Sequence, residues 1–269
     1  LFTGLAAGNY TLEVRNDNGF CIVAFIGSIS LVDPSSPTAE IILPDSICVG
    51  NSANFTATDA GVGANYAWTF GTGASPTTAS GIGPHNVTFS TAGNISIGLT
   101  VDLSGCSAVD NESFVVHTSP VVSLTLVDTI ACEDETTTTL NGGSPGGGVY
   151  SGTGVTGNNF DATSAGVGIH TITYTYTDDN GCSDTATDDI EVFASPSTSL
   201  TLSPSTACEN ATALALSGGS PAGGVYSGLG VSSGNIDPSI AGVGVHPITY
   251  TYTDANGCSA AATQNFEVF

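Results

Sequence analysis

The stretch AGVGIHTITYTYTDDNGC at residues 165–182 recurs as AGVGVHPITYTYTDANGC at residues 241–258. In both copies isoleucine and tyrosine alternate with threonine, which places apolar and polar side chains on opposite faces of an extended strand. The Asp-x-Asn-Gly that follows is typical of a β-hairpin turn, in which glycine adopts a positive φ. Each stretch therefore predicts a long strand and a tight turn that ends at a cysteine.

The repeat extends well beyond this strand. Residues 121–193 align without gaps with residues 197–269, and GGSPGGGVYSGTG (142–154) returns as GGSPAGGVYSGLG (218–230). A period above 50 residues indicates an array of whole domains, because solenoid turns repeat at shorter intervals. Within one copy, short strands are predicted at 122–126, 136–140, 149–152, 170–177 and 185–193.

Many short strands separated by glycine-rich turns are typical of a β-sandwich. We therefore expect an all-β chain of tandem immunoglobulin-like β-sandwich domains. The predicted divisions are residues 1–36, as the C-terminal part of a truncated repeat, 37–119, 120–195 and 196–269.

The cysteines recur with the repeat. Cys132 and Cys182 have the same spacing as Cys208 and Cys258, and no Cys-x-x-Cys motif typical of a metal site is present. Each repeat is predicted to close its own bond, which stabilises a sandwich too small to bury much apolar surface and indicates an oxidising compartment. The predicted disulfides are Cys48–Cys106, Cys132–Cys182 and Cys208–Cys258, with Cys21 paired to a residue upstream of this sequence.

The unit at 37–119 has a different signature. It carries YAWTFGTG at 66–73 and HNVTFSTAGNISIGLTVDLSGCS at 85–107, which resemble a polycystic-kidney-disease (PKD) domain. Trp68 matches the tryptophan of the family's W-x-F-G-D-G motif, although Thr72 replaces its aspartate. We expect Trp68 to pack in the core.

The two later units resemble the immunoglobulin-like repeats of giant surface proteins of Bacteroidota, through the phrase GGxYSGxGVxxNxFDxxxAGxGxHxITYTYTDxNGC. Residues 4–21, GLAAGNYTLEVRNDNGFC, resemble short repeats of gliding-motility adhesins. These resemblances imply an extracellular or cell-surface adhesin exported by type IX secretion. They also imply neighbouring repeats of the same chain as partners, with self-association into filaments as a further expectation.

Charge limits the partners. The chain has 24 acidic residues, a single Arg and no Lys, for a formal net charge of -23. Such a surface repels phosphate backbones, so we expect no nucleic-acid binding. No apolar stretch is long enough to span a bilayer, so we expect no direct membrane insertion.

No catalytic motif stands out, and we expect the chain not to be an enzyme. His170 and His246 occupy one repeat position, His85 precedes the corresponding strand of the earlier unit, and His117 is isolated. A histidine that recurs at a strand start is typical of packing or turn formation. No G-x-S-x-G elbow or other nucleophile motif accompanies these histidines.

We predict no cofactor and no metal, with Ca²⁺ as the alternative. Glu133, Asp134 and Glu135 follow Cys132, and residues 178–180 form an acidic turn. Hard cations need several converging oxygens, and the next repeat loses three of these five carboxylates. Turn formation and solvation are the simpler interpretation.

The function predicted from these features is a structural stalk or filament segment of a secreted or surface-anchored bacterial adhesin. The alternative is a glycan-binding module of an adhesin or of a polysaccharide-degrading enzyme, with Tyr150 and Tyr226 as contacts unless they pack in the core. The Asp-Ser/Thr-apolar signal for O-glycosylation in Bacteroidota occurs at Ser46, Thr129 and Thr185.

Overall fold

A computed structural model describes residues 5–15, 22–31, 35–135 and 137–269. Cys21 lies outside the described residues. The chain forms two compact units, one comprising Leu1–Ser119 with Asp179–Cys182 and the other Pro120–Asp178 with Ser183–Phe269.

The first unit contains a hairpin and one β-sandwich, which we call sandwich I. The antiparallel hairpin is β1 (Gly8–Arg15) with β2 (Ile22–Leu31). Sandwich I comprises β3 (Ile41–Ile42), β4 (Ile47–Cys48), β5 (Ser52–Ala57), β6 (Asn65–Thr69), β7 (Ala74–Ser75), β8 (Thr78–Ser80), β9 (His85–Phe89), β10 (Gly93–Leu103) and β11 (Cys106–His117).

Sandwich I has the strand arrangement of an immunoglobulin fold. One sheet has the order β4-β11-β10-β6-β8 and the other β3-β5-β9-β7. The short β4 pairs in parallel with the end of β11, and the other pairs are antiparallel. One sheet thus contains the last, the penultimate and a middle strand, as in the CFG sheet of immunoglobulin domains.

Aromatic side chains fill the space between these two sheets. Trp68 is 1% exposed and stacks on Phe70 with ring centroids 5.8 Å apart. Its Nε1 donates a hydrogen bond to the carbonyl oxygen of Gly81 at 2.8 Å, so the buried indole leaves no polar atom unpaired. The predicted core position of Trp68 is confirmed.

The second unit contains two sandwiches with matching elements. Sandwich II comprises β12 (Ser123–Leu124), β13 (Ile130–Cys132), β14 (Thr138–Thr139), β15 (Gly143–Ser144), β16 (Val149–Ser151), β17 (Val155–Thr156), β18 (Asn159–Phe160), α1 (Ala162–Ala165), β19 (Gly168–Thr177) and β20 (Ser183–Phe193). Sandwich III comprises β21 (Ser199–Leu200), β22 (Thr206–Ala207), β23 (Leu214–Ala215), β24 (Gly219–Ser220), β25 (Val225–Ser227), β26 (Val231–Ser232), β27 (Asn235–Ile236), α2 (Pro238–Ala241), β28 (Gly244–Thr253) and β29 (Ser259–Val268).

Sandwich II shares the central strand order of the larger sheet of sandwich I. Its larger sheet has the order β13-β20-β19-β16, with β13 parallel to β20, and a smaller sheet has the order β14-β18-β17. The predicted alternation is confirmed, because Ile172 and Tyr174 are buried whereas Thr171 and Thr177 are exposed. Sandwich III has the equivalent sheets β22-β29-β28-β25 and β23-β27-β26.

The glycine-rich loop of sandwich II packs on a buried tyrosine. The Tyr174 hydroxyl donates to the carbonyl oxygen of Pro145 at 2.5 Å and accepts from the Gly148 N–H at 2.7 Å. A Cβ added at Gly143 or Gly148 would lie 2.5 Å from atoms of this ring. The glycines are therefore required by the close approach of the loop backbone to the ring, and Tyr250 has the same role in sandwich III.

The one-turn helices α1 and α2 were not predicted. Asp161 precedes α1, where its carboxylate accepts from the N–H and the hydroxyl of Ser164. These hydrogen bonds lower the pKa of Asp161, and bonds from Ser239 lower the pKa of Asp237 before α2. Four residues are too few to produce a helical period in the sequence.

Candidate functional site: the disulfide-linked turns

Two disulfides join cysteines that are far apart in the sequence. Cys48 bonds to Cys182 and Cys132 bonds to Cys258, with Cα–Cα distances of 5.6 and 5.5 Å. A cysteine forms one disulfide at a time, so the predicted pairs Cys48–Cys106, Cys132–Cys182 and Cys208–Cys258 are wrong. Each observed bond instead joins the first cysteine of one sandwich to the hairpin cysteine of the next repeat.

The strand register explains why a sandwich cannot close its own pair. Cys132 lies opposite Phe193, at the far end of β20, whereas Cys182 immediately precedes the start of that strand. At ~3.3 Å per residue, the eleven residues from 182 to 193 separate the two cysteines by about 36 Å. A disulfide needs Cα atoms within about 7 Å.

The same separation holds in the other two sandwiches. Cys48 lies opposite His117, eleven residues beyond Cys106 at the start of β11. Cys208 directly follows β22, whose last residue pairs with Val268 at the end of β29. In each sandwich the two cysteines therefore lie at opposite ends of the last strand.

The hairpin of sandwich III holds its cysteine in a fixed position. The carboxylate of Asp254 accepts hydrogen bonds from the N–H groups of Asn256 and Cys258, both at 2.9 Å. Gly257 has a φ of 92°, which a residue with a side chain rarely adopts. Cys258 is fully buried, as is Cys182 in the matching hairpin of sandwich II.

The turn that receives this hairpin is also hydrogen-bonded. The N–H of Glu133 donates to the carbonyl oxygen of Phe193, and the N–H of Glu135 donates to the carbonyl oxygen of Cys132, both at 2.9 Å. The Glu135 carboxylate accepts from the N–H of Cys132 at 3.2 Å. Both the N–H and the carbonyl oxygen of Cys132 are therefore hydrogen-bonded, which fixes the backbone of this residue independently of its disulfide.

An open cleft of about 290 Å³ lies beside the Cys132–Cys258 bond. Its lining comprises Cys132, Asp134, Glu135, Gly257 and Ser259. Of the candidate calcium carboxylates here, Asp134 accepts from the hydroxyl of Ser195 at 2.7 Å and Glu135 from a backbone N–H. Among the described residues, no three His, Cys, Asp or Glu side chains are grouped as metal ligands would be.

The recurring histidines each contact a glycine carbonyl oxygen four residues earlier. The Nε2 atoms of His170 and His246 lie 2.7 Å from the oxygens of Gly166 and Gly242. His85 makes the equivalent contact with Gly81 at 3.0 Å. These contacts agree with the predicted packing or turn role of the three histidines, and His117 lies half-buried at the end of β11.

The two candidate glycan-contact tyrosines pack inward. Tyr150 is 8% exposed, and its ring lies 4.8 Å from that of Tyr174. Its hydroxyl accepts from the N–H of Gly143 at 3.1 Å, and Tyr226 makes the matching bond to Gly219 at 2.9 Å. Core packing, the simpler of the two interpretations, therefore describes both tyrosines.

The three candidate glycosylation residues are all exposed. Ser46 lies between β3 and β4, Thr129 directly precedes β13, and Thr185 lies within β20. Each hydroxyl is therefore accessible to a modifying enzyme. Glycosylation at these positions stays a prediction.

The chain matches no protein-family model and no curated protein sequence. Similar solved structures include a Ca²⁺-stabilised adhesin with which an Antarctic bacterium binds ice, at 15% identity and a TM-score of 0.37, covering 97% of this chain and 81% of that one. A 1.5-MDa bacterial ice-binding adhesin has 15% identity and a TM-score of 0.32, with coverages of 88% and 99%. Invasin, a bacterial integrin-binding protein, has 17% identity and a TM-score of 0.29, with coverages of 84% and 48%.

No helix in the part of the chain that the structure describes has the length and apolar character needed to cross a bilayer. The fold class rests on the strand order itself, because in all three sandwiches the second strand pairs in parallel with the last strand, and the last two strands form an antiparallel hairpin. The chain is a tandem array of disulfide-linked, immunoglobulin-like β-sandwiches.

Proposed function

We propose that this chain is a load-bearing segment of an extracellular adhesin stalk. The observation that carries the proposal is the pairing of cysteines from successive repeats, Cys48 with Cys182 and Cys132 with Cys258. A disulfide within one sandwich would resist the unfolding of that sandwich alone under a pulling force. These disulfides instead transmit the force from one repeat to the next. We also propose residues 37–119, 120–195 and 196–269 as the repeating units of the stalk.

The bonds add stability as well as continuity. Closing a loop of 126 residues between Cys132 and Cys258 lowers the entropy of the unfolded chain, which stabilises the folded state by about 5 kcal/mol in the chain-entropy model. This gain is comparable to the total stability of many small domains.

The net charge of -23 suits an exposed stalk. Like charges along the surface keep neighbouring molecules apart and keep the protein soluble outside the cell. Because the chain has no lysine, it cannot use lysine–asparagine isopeptide bonds, and disulfides are the remaining covalent links.

The resemblance to Bacteroidota surface proteins supports the finer proposal. On that basis the parent protein is a type IX secretion cargo of the gliding-motility-adhesin kind, with a PKD-like sandwich I and O-glycans at Ser46, Thr129 and Thr185. The proposed role is mechanical and involves neither catalysis nor a cofactor. The contacts of the recurring histidines with glycine carbonyl oxygens support this, because those contacts give the imidazoles a turn role.

Antibody labelling of intact cells that produce the protein tests this proposal. An antibody raised against residues 1–269 should label projections outside intact cells, as seen by immunoelectron microscopy. An antibody against a cytoplasmic protein, which should label only permeabilised cells, is the control. Labelling by the first antibody only after permeabilisation would refute an extracellular stalk.

A further inference from the structure

The first cysteines of the three sandwiches, Cys48, Cys132 and Cys208, occupy equivalent turns with the same backbone hydrogen bonds. After Cys48, the Val49 N–H donates to the oxygen of His117 at 2.9 Å, and the Asn51 N–H donates to the Cys48 oxygen at 3.1 Å. The turn at Cys132 repeats both bonds. The turn at Cys208 repeats them again, from Glu209 to Phe269 at 2.9 Å and from Ala211 to Cys208 at 3.0 Å.

Two of these three turns hold a hairpin cysteine in a disulfide, and the third forms no disulfide with a described cysteine. Cys132, in a bonded turn, is half-buried, whereas Cys208 is exposed. We propose that the Cys208 turn is a covalent docking site for the hairpin of another sandwich of this kind. This inference rests on the proposed stalk function and identifies how the stalk is extended.

The partner's chemistry follows from the two occupied turns. Both bonded hairpins have the sequence Asp-x-Asn-Gly-Cys, at 178–182 and 254–258. In the second, the aspartate binds the cysteine N–H and the glycine allows the tight reversal that presents the sulfur. The ligand of Cys208 is therefore a hairpin with the Asp-x-Asn-Gly-Cys turn.

The two bonded junctions carry different numbers of carboxylates. The turn at 133–135, with three carboxylates, receives the hairpin with one aspartate, whereas the turn at 49–51, with none, receives the hairpin with two. A junction of this kind therefore forms with as few as two carboxylates and with as many as four. The turn at 209–211 has one carboxylate, a number between those of the two bonded turns.

Bond formation needs an oxidant of the disulfide class, such as oxidised glutathione or the disulfide form of a thiol–disulfide oxidoreductase. One thiolate attacks the oxidant to form a mixed disulfide and release one thiol. The second thiolate then attacks the protein sulfur of that mixed disulfide, which forms the Cys208 bond and releases the second thiol. The two protein thiols lose two electrons and two protons, and the oxidant takes up both.

The test appends a second copy of residues 194–269 after Phe269 in the full chain. The extended chain is refolded with oxidised glutathione, alkylated with iodoacetamide and mapped by mass spectrometry. We expect Cys208 to be linked to the hairpin cysteine of the appended copy, so its alkylation is lost. In the unextended chain, Cys208 should be fully alkylated.

Two variants serve as matched controls. Serine at the appended hairpin cysteine should restore alkylation of Cys208, and Cys208→Ser should leave the appended hairpin cysteine alkylated. Formation of the Cys132–Cys258 bond in every sample reports correct folding of the original repeats. The proposal fails if Cys208 remains alkylated in the extended chain, or if the appended copy bonds its own two cysteines, while Cys132–Cys258 is intact. These outcomes do not depend on where the protein is found on cells.

Discussion

Each of the two disulfides joins one repeat to the next, which we call staggered pairing. Removing one of these bonds should increase the contour length of the unfolded chain by an amount that depends on which cysteines are paired. In the oxidised chain, the covalent path from Cys48 to Cys258 crosses to Cys182, returns along 50 residues to Cys132 and crosses again. In Cys132→Ser, the path must follow the 76 residues from Cys182 to Cys258. The extra 26 residues correspond to about 90 Å at ~3.5 Å per residue.

Single-molecule force spectroscopy measures this length directly. The chain is pulled between a handle at residue 46 and a handle after Phe269, under non-reducing conditions, until all sandwiches are unfolded. Cys208→Ser is the matched control, because Cys208 takes part in neither bond. The final contour length of this variant should equal that of the unmodified chain. Full reduction should expose all 210 residues between Cys48 and Cys258, a gain of about 560 Å.

Bonds within each sandwich would give different lengths. Cys132→Ser would then release the whole 50-residue loop to Cys182, an increase of about 175 Å. Cys208→Ser would release the same length instead of none. An increase near 175 Å in both variants would therefore refute the staggered pairing.

Two further changes test the packing of sandwich II by chemical denaturation. Gly143→Ala should lower the free energy of unfolding by about 1–3 kcal/mol, because the new Cβ would meet the Tyr174 ring at 2.5 Å. Gly146→Ala, where a Cβ meets nothing within 4 Å, should leave it within about 0.5 kcal/mol, and equal effects would contradict the packing argument. Asp188→Ala should lower it by about 1 kcal/mol, because the Leu126 N–H loses its acceptor at 2.9 Å. Asp188→Gln should retain most of that stability, since glutamine makes the equivalent bond in sandwich III, and a loss as large as that of alanine would show that the bond is unimportant.

Much of the fold follows from local sequence patterns. The alternation in HTITYTYT predicted β19 and its buried face, and Asp-Asp-Asn-Gly predicted the turn in which Gly181 has a φ of 80°. The recurrence of the same residues at 241–258 predicted that sandwich III repeats sandwich II. These features were predictable because strand period and turn chemistry are properties of neighbouring residues.

The disulfide pairing was not predictable from spacing alone. A separation of 50 residues between Cys132 and Cys182 fits a loop within a repeat. The number of residues between them does not show at which end of the sandwich each cysteine lies. The deciding fact is that β13 runs parallel to β20 and ends opposite Phe193. That register is set by the pairing of strands that are far apart in the sequence. The position of Cys182 in the turn before β20 could have suggested only that this cysteine lies at the starting end of the strand.

The glycine run was also explained only by tertiary contacts. GGSPGGG at 142–148 resembles a flexible loop in the sequence, yet the backbone of this loop packs tightly against Tyr174. Likewise, the burial of Tyr150 depends on its contact with Tyr174, 24 residues further along the chain. Such approaches follow from how the sheets pack, which a local pattern does not record.

Direct mapping of the disulfides tests the account most closely. The oxidised chain, cleaved on the carboxyl side of aspartate and glutamate and analysed by mass spectrometry without reduction, should give linked peptides that join residue 48 to residue 182 and residue 132 to residue 258. Linked peptides that join 48 to 106, 132 to 182 and 208 to 258 would contradict it.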